Sequence, residues 1–271
     1  MPYAPAELEK PVTIHKLRQM KADGEKFTSV ALYDAPTAGA AQRAGVETVL
    51  IGDSLGMAML GYDSTVPVTM EEMIHHIGAV ARGNRKSLIM GDLPFMTYAT
   101  PEQALTNAAR IMQAGAHMVK IEGGTWLAET VKMLSERGIP VCAHLGLTPQ
   151  SVHKFGGYRI QGRSDEQAGQ ILDDAAVLDE AGADLLVLEC VPSRLAKRIT
   201  DTVSMPTIGI GAGSDTDGQV LVITDLLGLT EKPPKFSKNF LRETGDIHGA
   251  LRQYAEEVKN GQFPTAEHSF N

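Results

Sequence analysis

Cysteine is scarce in this chain. Its two cysteines, Cys142 and Cys190, sit in apolar strand-like runs and show no CxxC spacing. That excludes a disulfide scaffold, and nothing else in the chain has zinc spacing. The thiols read as reduced core residues, with a catalytic cysteine as the alternative. Aromatic residues make up 5% of the chain, against 27 glycines, a balance that suits tightly packed α/β units. A basic excess is also absent: the net charge of −8 argues against nucleic-acid binding and leaves any anionic substrate to local cations or a metal. No apolar run approaches the ~18 residues of a membrane span, and no charged segment followed by an apolar stretch opens the chain. The expectation is a cytoplasmic protein with neither a membrane nor a nucleic-acid partner. With no linker, low-complexity tract or solenoid repeat in sight, residues 1–271 are expected to form one domain.

What the chain does contain is alternation. After a loose start over residues 1–10 and a helix over 12–23 that would close the bottom of a barrel, strand-like runs appear at 27–34, 46–53, 87–92, 116–124, 139–146, 183–191, 205–213 and 220–227. Helix-like segments separate most of them, with Thr69, Thr100 and Ser164 at the starts of three. Two long loops, 54–68 and 148–163, interrupt the pattern, and an amphipathic helix over 245–260 follows the last strand. About eight β/α units in some 250 residues match a (β/α)8 TIM barrel, with a doubly wound sheet as the alternative.

In such barrels the chemistry gathers at the carboxyl ends of the strands. The residues there are Asp34, Asp53, Ser54, Asp92, Lys120, Glu122, His144, Glu189 and the Gly209–Gly213 turn. The run AHMVKIEGG at 116–124 is the most informative. Alternation puts Met118, Lys120 and Glu122 on one face of a buried strand, where charge is costly unless paired or metal-bound. Several carboxylates converging on one rim need a cation, and oxygen ligands point to Mg²⁺. Asp53 and Asp92 each follow an apolar run and a glycine, which would leave room for the ion; Asp34 is explained as a helix cap. Glu189 ends the apolar run LLVL on the same face as Leu185 and Val187, a setting that suits proton transfer. His144 is either a substrate contact or a structural residue. GIGAG at 209–213 is either a phosphate cradle or a close-packing turn, and the basic stretch 153–163 is either a lid or a solvated loop. His75 and His76 read as surface or packing residues.

The ordered motifs GDSLGM (52–57), DSTVPVT (63–69), DLPFMTYATPEQA (92–104), NxAxxMxAGAxMVKIEGG (107–124), HLGLTPQSV (144–152), FGGYRIQGR (155–163), LLVLECVP (185–192), IGIGAG (208–213) and PKFSKNF (234–240) closely resemble the ketopantoate hydroxymethyltransferase family. The resemblance implies a (β/α)8 barrel of the phosphoenolpyruvate/pyruvate type, assembled as a homodecamer. It implies transfer of a hydroxymethyl group from 5,10-methylenetetrahydrofolate to 3-methyl-2-oxobutanoate, giving 2-dehydropantoate through a Mg²⁺-stabilised enolate. The family's metal residues fall on Asp53, Asp92 and Glu122, with Glu122 reaching the ion through water. Its oxoacid-binding residues fall on Asp53, Ser54, Asp92 and Lys120, and its general base on Glu189. A lyase or phosphonomutase on the same barrel, without folate, is the rival enzyme reading; a noncatalytic barrel is the rival from another class.

Overall fold

The structure, a computed structural model, describes residue 8 and residues 10–271; the loose start expected over 1–10 lies largely outside them. Eight parallel strands close on themselves in sequence order: β1 (Phe27–Ala31), β2 (Thr48–Ile51), β3 (Leu88–Asp92), β4 (Met118–Glu122), β5 (Val141–Gly146), β6 (Leu185–Glu189), β7 (Thr207–Ile210) and β8 (Gly218–Val222). β1 pairs with both β2 and β8, so the sheet has no free edge. A doubly wound sheet is thereby ruled out.

The helices are α1 (Ile14–Asp23), α2 (Ala35–Arg43), α3 (Met70–Gly83), α4 (Pro101–Gln113), α5 (Ala128–Glu136), α6 (Asp165–Glu180), α7 (Ser193–Thr202) and α8 (Ile247–Lys259). Their starts follow from local chemistry. Thr69 and Glu72 form a reciprocal capping box on α3, and Thr100 caps α4 ahead of Pro101. Ser164 caps α6, whose first turn carries Asp165 and Glu166 against the helix dipole. Caps of this kind contribute about 1 kcal/mol each.

The period-2 pattern divides the strands into two packing layers. Phe27, Leu50, Met90, Met118, Cys142, Leu185 and Val187 point into the barrel. Val30, Val49, Ile89, Val119, Ile121 and Leu186 point outward to the helices. Leu17 and Met20 of α1 join the inner layer from below, and Arg18 and Lys21 tie the helix to Asp184 and Asp217 at 2.8 and 2.9 Å. α1 therefore plugs the amino-terminal end of the barrel, leaving the carboxyl-terminal end as the open mouth.

Several boundaries differ from expectation. β8 spans 218–222, not 220–227, because Ile223–Leu226 turns helical after Val222. A short apolar run does not by itself distinguish strand from helix. No helix separates β7 from β8; α8 comes after β8 and packs back across β1. The two long loops contain helical turns at Leu55–Ala58, Pro149–Ser151 and Val152–Phe155. Among the described residues no helix is long and apolar enough to cross a membrane.

Candidate active and metal site

Strand alternation carries the inner layer upward into polar side chains. Above Met90 comes Asp92, above Met118 come Lys120 and Glu122, above Cys142 comes His144, and above Val187 comes Glu189. Asp53 lies two residues past β2. Gly52 sits so close beneath it that an added Cβ would meet Ser54 Oγ at 2.8 Å and Asp92 Oδ2 at 3.4 Å. This close approach lets the Asp53 N–H donate to Asp92 Oδ2 at 3.1 Å. The matching Gly91 does not leave space for an ion. It faces outward, where a Cβ would strike Ile77 and Ile111 of the surrounding helices.

Asp53, Asp92 and Glu122 are all buried, and each presents an oxygen within 4.8 Å of the others. Lys120 Nζ donates to Asp92 Oδ2 at 2.8 Å and lies 3.6 Å from Glu122 Oε1. His144 occupies the next position around the ring, with Nδ1 3.2 Å from Glu122 Oε1 and Nε2 3.3 Å from Glu189 Oε2. Ser54 is half-buried, and its hydroxyl is 2.8 Å from the Tyr33 hydroxyl.

The electrostatics follow from this crowding. Burial, then Glu122 and Asp92, push Asp53 well above the usual carboxylate range. Burial also raises Asp92, against the pull of Lys120. Burial alone would raise Glu122, but His144 and Lys120 outweigh it and hold the carboxyl low. Burial works against the Lys120 ammonium, yet Asp92, Glu122 and Asp53 together raise its pKa. His144 is opposed by burial and by Lys120, but Glu122 and Glu189 hold it up to about 9.

Four carboxylates, three of them buried, thus face two cations, an excess of negative charge that favours a divalent ion. The donor set is all oxygen, as Mg²⁺ prefers. Asp92 Oδ1 is moreover buried without a hydrogen-bond partner among the described residues. A buried, unpartnered carboxylate oxygen is costly, and a cation would satisfy it. The residues present fit Mg²⁺.

The remaining candidates separate from this cluster. Asp34 caps α2 by accepting from the Thr37 N–H at 2.9 Å. The 209–213 turn is packed: a Cβ on Gly213, at φ +80°, would meet Ser193 Oγ at 2.5 Å, and Gln219 Nε2 donates to the Gly213 carbonyl at 2.9 Å. Close packing accounts for those glycines. His76 Nδ1 lies 2.7 Å from the Tyr33 carbonyl, and His75 is exposed. Both cysteines are buried and free.

The 148–163 loop reaches the cluster by a route that its basic residues did not signal. His153, Lys154, Arg159 and Arg163 are exposed. Tyr158 O–H donates to Met57 Sδ at 3.1 Å, linking this loop to the one after β2. Burial raises the Tyr158 pKa, and Glu189, Asp53 and Glu122 add to the shift. Sequence reasoning missed Gln150 and Tyr98, both buried beside the carboxylates and both inside the ordered motifs, HLGLTPQSV and DLPFMTYATPEQA. Beside the mouth a cavity of about 490 Å³ opens between Trp126, Phe155, Gln161 and Gln170.

A family model described as ketopantoate hydroxymethyltransferase matches residues 11–266. Two relatives named 3-methyl-2-oxobutanoate hydroxymethyltransferase align along nearly their whole length. The protein of Saccharophagus degradans is 70% identical and covers 100% of both chains. That of Escherichia coli O8 is 58% identical over 97% of this chain and 100% of its own. Among solved structures, a phosphonopyruvate hydrolase superposes with a TM-score of 0.60 at 13% identity, covering 96% of this chain and 92% of its own. A 2,3-dimethylmalate lyase of the PEP mutase/isocitrate lyase superfamily gives 0.55 at 15%, covering 77% and 80%. At such identities these structures share the fold.

Proposed function

The chain belongs to the ketopantoate hydroxymethyltransferase family and is a transferase, and we propose that it carries a hydroxymethyl group from 5,10-methylenetetrahydrofolate to 3-methyl-2-oxobutanoate. The product is 2-dehydropantoate, on the route to pantothenate and coenzyme A. The observation that carries this reading is the convergence of Asp53, Asp92 and Glu122 within 4.8 Å, with Lys120 and Glu189 facing into the same barrel mouth.

Asp53, Asp92 and Glu122 would hold Mg²⁺. When bound, the ion polarises the keto oxygen of the oxoacid and offsets negative charge as the C3 proton leaves. The chain's own residues do the rest. Ser54 hydrogen-bonds the substrate carboxylate, with Asp53 and Asp92 beside it. Lys120, fixed by Asp92, is a preorganised cation for charge developing on the oxoacid oxygens. Glu189 takes the C3 proton as the C3–H bond breaks. The C3 carbanion equivalent then forms a carbon–carbon bond to the one-carbon unit as its two bonds to folate nitrogens break in turn, water supplies the hydroxyl, and the protons released go to the nitrogens of the departing tetrahydrofolate. The reading includes a homodecamer in the cytoplasm, as the family resemblance implies.

The test is an assay of 2-dehydropantoate formation with and without Mg²⁺, and with and without methylenetetrahydrofolate. Product should require both. Turnover of an oxoacid without folate would favour a carbon–carbon lyase and overturn the proposal.

A further inference from the structure

Three carboxylates packed within 4.8 Å repel one another, and something must fix their spacing before an ion arrives. Lys120 does this for Asp92 and Glu122. It makes no hydrogen bond to Asp53. Among the described residues, the donor to the Asp53 carboxylate is the Gln150 amide, with Nε2 2.9 Å from Oδ2. The main-chain N–H of the same residue donates to Glu122 Oε2 at 3.1 Å. A single neutral residue thus grips two of the three carboxylates, one with its side chain and one with its backbone.

Its geometry is fixed on every side. Tyr98 O–H donates to Gln150 Oε1 at 2.5 Å, and the second Nε2 hydrogen goes to the Leu93 carbonyl at 3.0 Å. Reversing the amide would set Oε1 against a carboxylate oxygen and the Leu93 carbonyl, two acceptors, in place of the two donors that now face them. One orientation therefore survives. The Tyr98 hydroxyl also accepts from the Glu122 N–H at 3.3 Å. Pro149 starts the turn that presents the Gln150 main chain, and Gln150 itself is buried.

We propose that Gln150, held by Tyr98, is a positioning residue that sets the separation of Asp53 and Glu122 and so presents a preformed carboxylate cage to the cation. The proposal rests on the reading of those carboxylates as Mg²⁺ ligands. Residues that orient ligands commonly govern metal affinity by about 10–100-fold when removed.

The experiment is titration calorimetry of Mg²⁺ alone into the full-length protein and its variants, with melting curves on the same samples. Gln150→Met keeps the volume and removes the amide; it should weaken Mg²⁺ by about 10-fold or more. Gln150→Glu places a fourth carboxylate against Asp53 and should bind Mg²⁺ no better than Gln150→Met while melting lower. Tyr98→Phe keeps the ring stacked 6.3 Å from Trp126 but frees the amide, and should weaken Mg²⁺ several-fold. A residue that merely fills space would lower the melting point and leave the affinity of the folded protein unchanged. Wild-type Mg²⁺ affinity in a folded Gln150→Met overturns the proposal. Should that variant not fold, the same result in Tyr98→Phe does so. Failure of the underlying reading would look different: the wild-type protein itself would show no Mg²⁺ binding.

Discussion

His144 Nε2 lies 3.3 Å from Glu189 Oε2, while Nδ1 of the same ring lies 3.2 Å from Glu122 Oε1. One buried imidazole bridges the carboxylate cage and the carboxylate proposed to take the C3 proton. Despite burial and Lys120, its pKa of about 9 makes it a cation at neutral pH, with a donor on each nitrogen. It faces one Glu189 oxygen as an ion pair, although Nε2 makes no hydrogen bond of good geometry among the described residues. Glu189→Gln preserves an acceptor for that contact and cannot take a proton. Mg²⁺ and oxoacid binding should persist in this variant, while exchange of the C3 proton with solvent deuterium falls by about 100-fold or more. Proton NMR of 3-methyl-2-oxobutanoate in D₂O measures this, and exchange at the wild-type rate would remove Glu189 from the role of base.

Asp92 has two distinct partners to lose. Oδ2 accepts from Lys120 Nζ and from the Asp53 N–H, whereas Oδ1 has no hydrogen-bond partner among the described residues. Asp92→Ala deletes a metal ligand and leaves a buried ammonium with one carboxylate 3.6 Å away. Mg²⁺ affinity should fall sharply, and stability by about 3–5 kcal/mol, the usual cost of breaking a buried ion pair from one side. Asp92→Asn, which keeps an acceptor for Lys120, should recover part of the stability and little of the Mg²⁺ affinity. Urea unfolding and Mg²⁺ titration separate the two effects. Unchanged Mg²⁺ affinity in both variants would argue against ligation.

The strand alternation that places Lys120 and Glu122 on the inner face is legible in five residues, because a parallel strand buried on both sides has little freedom in what it exposes. Glu189 is legible for the same reason, at the end of LLVL. Gln150 was not legible. It is an uncharged residue in a loop, and its importance comes from Asp53, 97 positions away, which no local pattern reports. The glycines before Asp53 and Asp92 look alike in sequence, yet Gly52 admits Asp92 and Gly91 admits two isoleucines of the helix layer. Which neighbour a missing Cβ makes room for is decided by the closed barrel. The apolar residues Ile223, Leu226 and Leu227 prolong the strand-like pattern past Val222, and a short run of this kind does not separate strand from helix.

Cys142 offers a pH-dependent check on the inner layer. Burial raises its thiol from 9.0 to about 12. At pH 8 about one molecule in ten thousand is then the thiolate, so the native protein should resist a thiol reagent that labels the unfolded chain. The sign for stability follows. Above pH 9.0 the unfolded thiol loses its proton while the folded one keeps it, so folding stability falls with rising pH up to about 12. Melting curves between pH 8.5 and 10.5 should decline less steeply in Cys142→Ala than in the wild type. Equal slopes would show that the thiol makes no such contribution.

The barrel seam depends on a residue far along the chain. β1 pairs with β8, and the Tyr254 hydroxyl of α8 lies 3.0 Å from the Ser29 carbonyl and 2.8 Å from the Gln219 carbonyl, one on each of these strands. Its ring packs edge-on against Phe240 and Phe263 at 5.5 and 6.0 Å. Tyr254→Phe keeps that aromatic packing and removes the only donor in the contact. The loss should be about 1–2 kcal/mol, since the one hydroxyl proton that the two carbonyls share is removed. For a domain of this size that corresponds to a melting point lower by about 2–8 °C. The C3 exchange rate at 25 °C should be unaffected, because none of the mouth residues touches Tyr254. A melting point equal to the wild type would mean that the strand ladder alone holds β1 to β8, and the role of α8 would then reduce to covering the aromatic cluster.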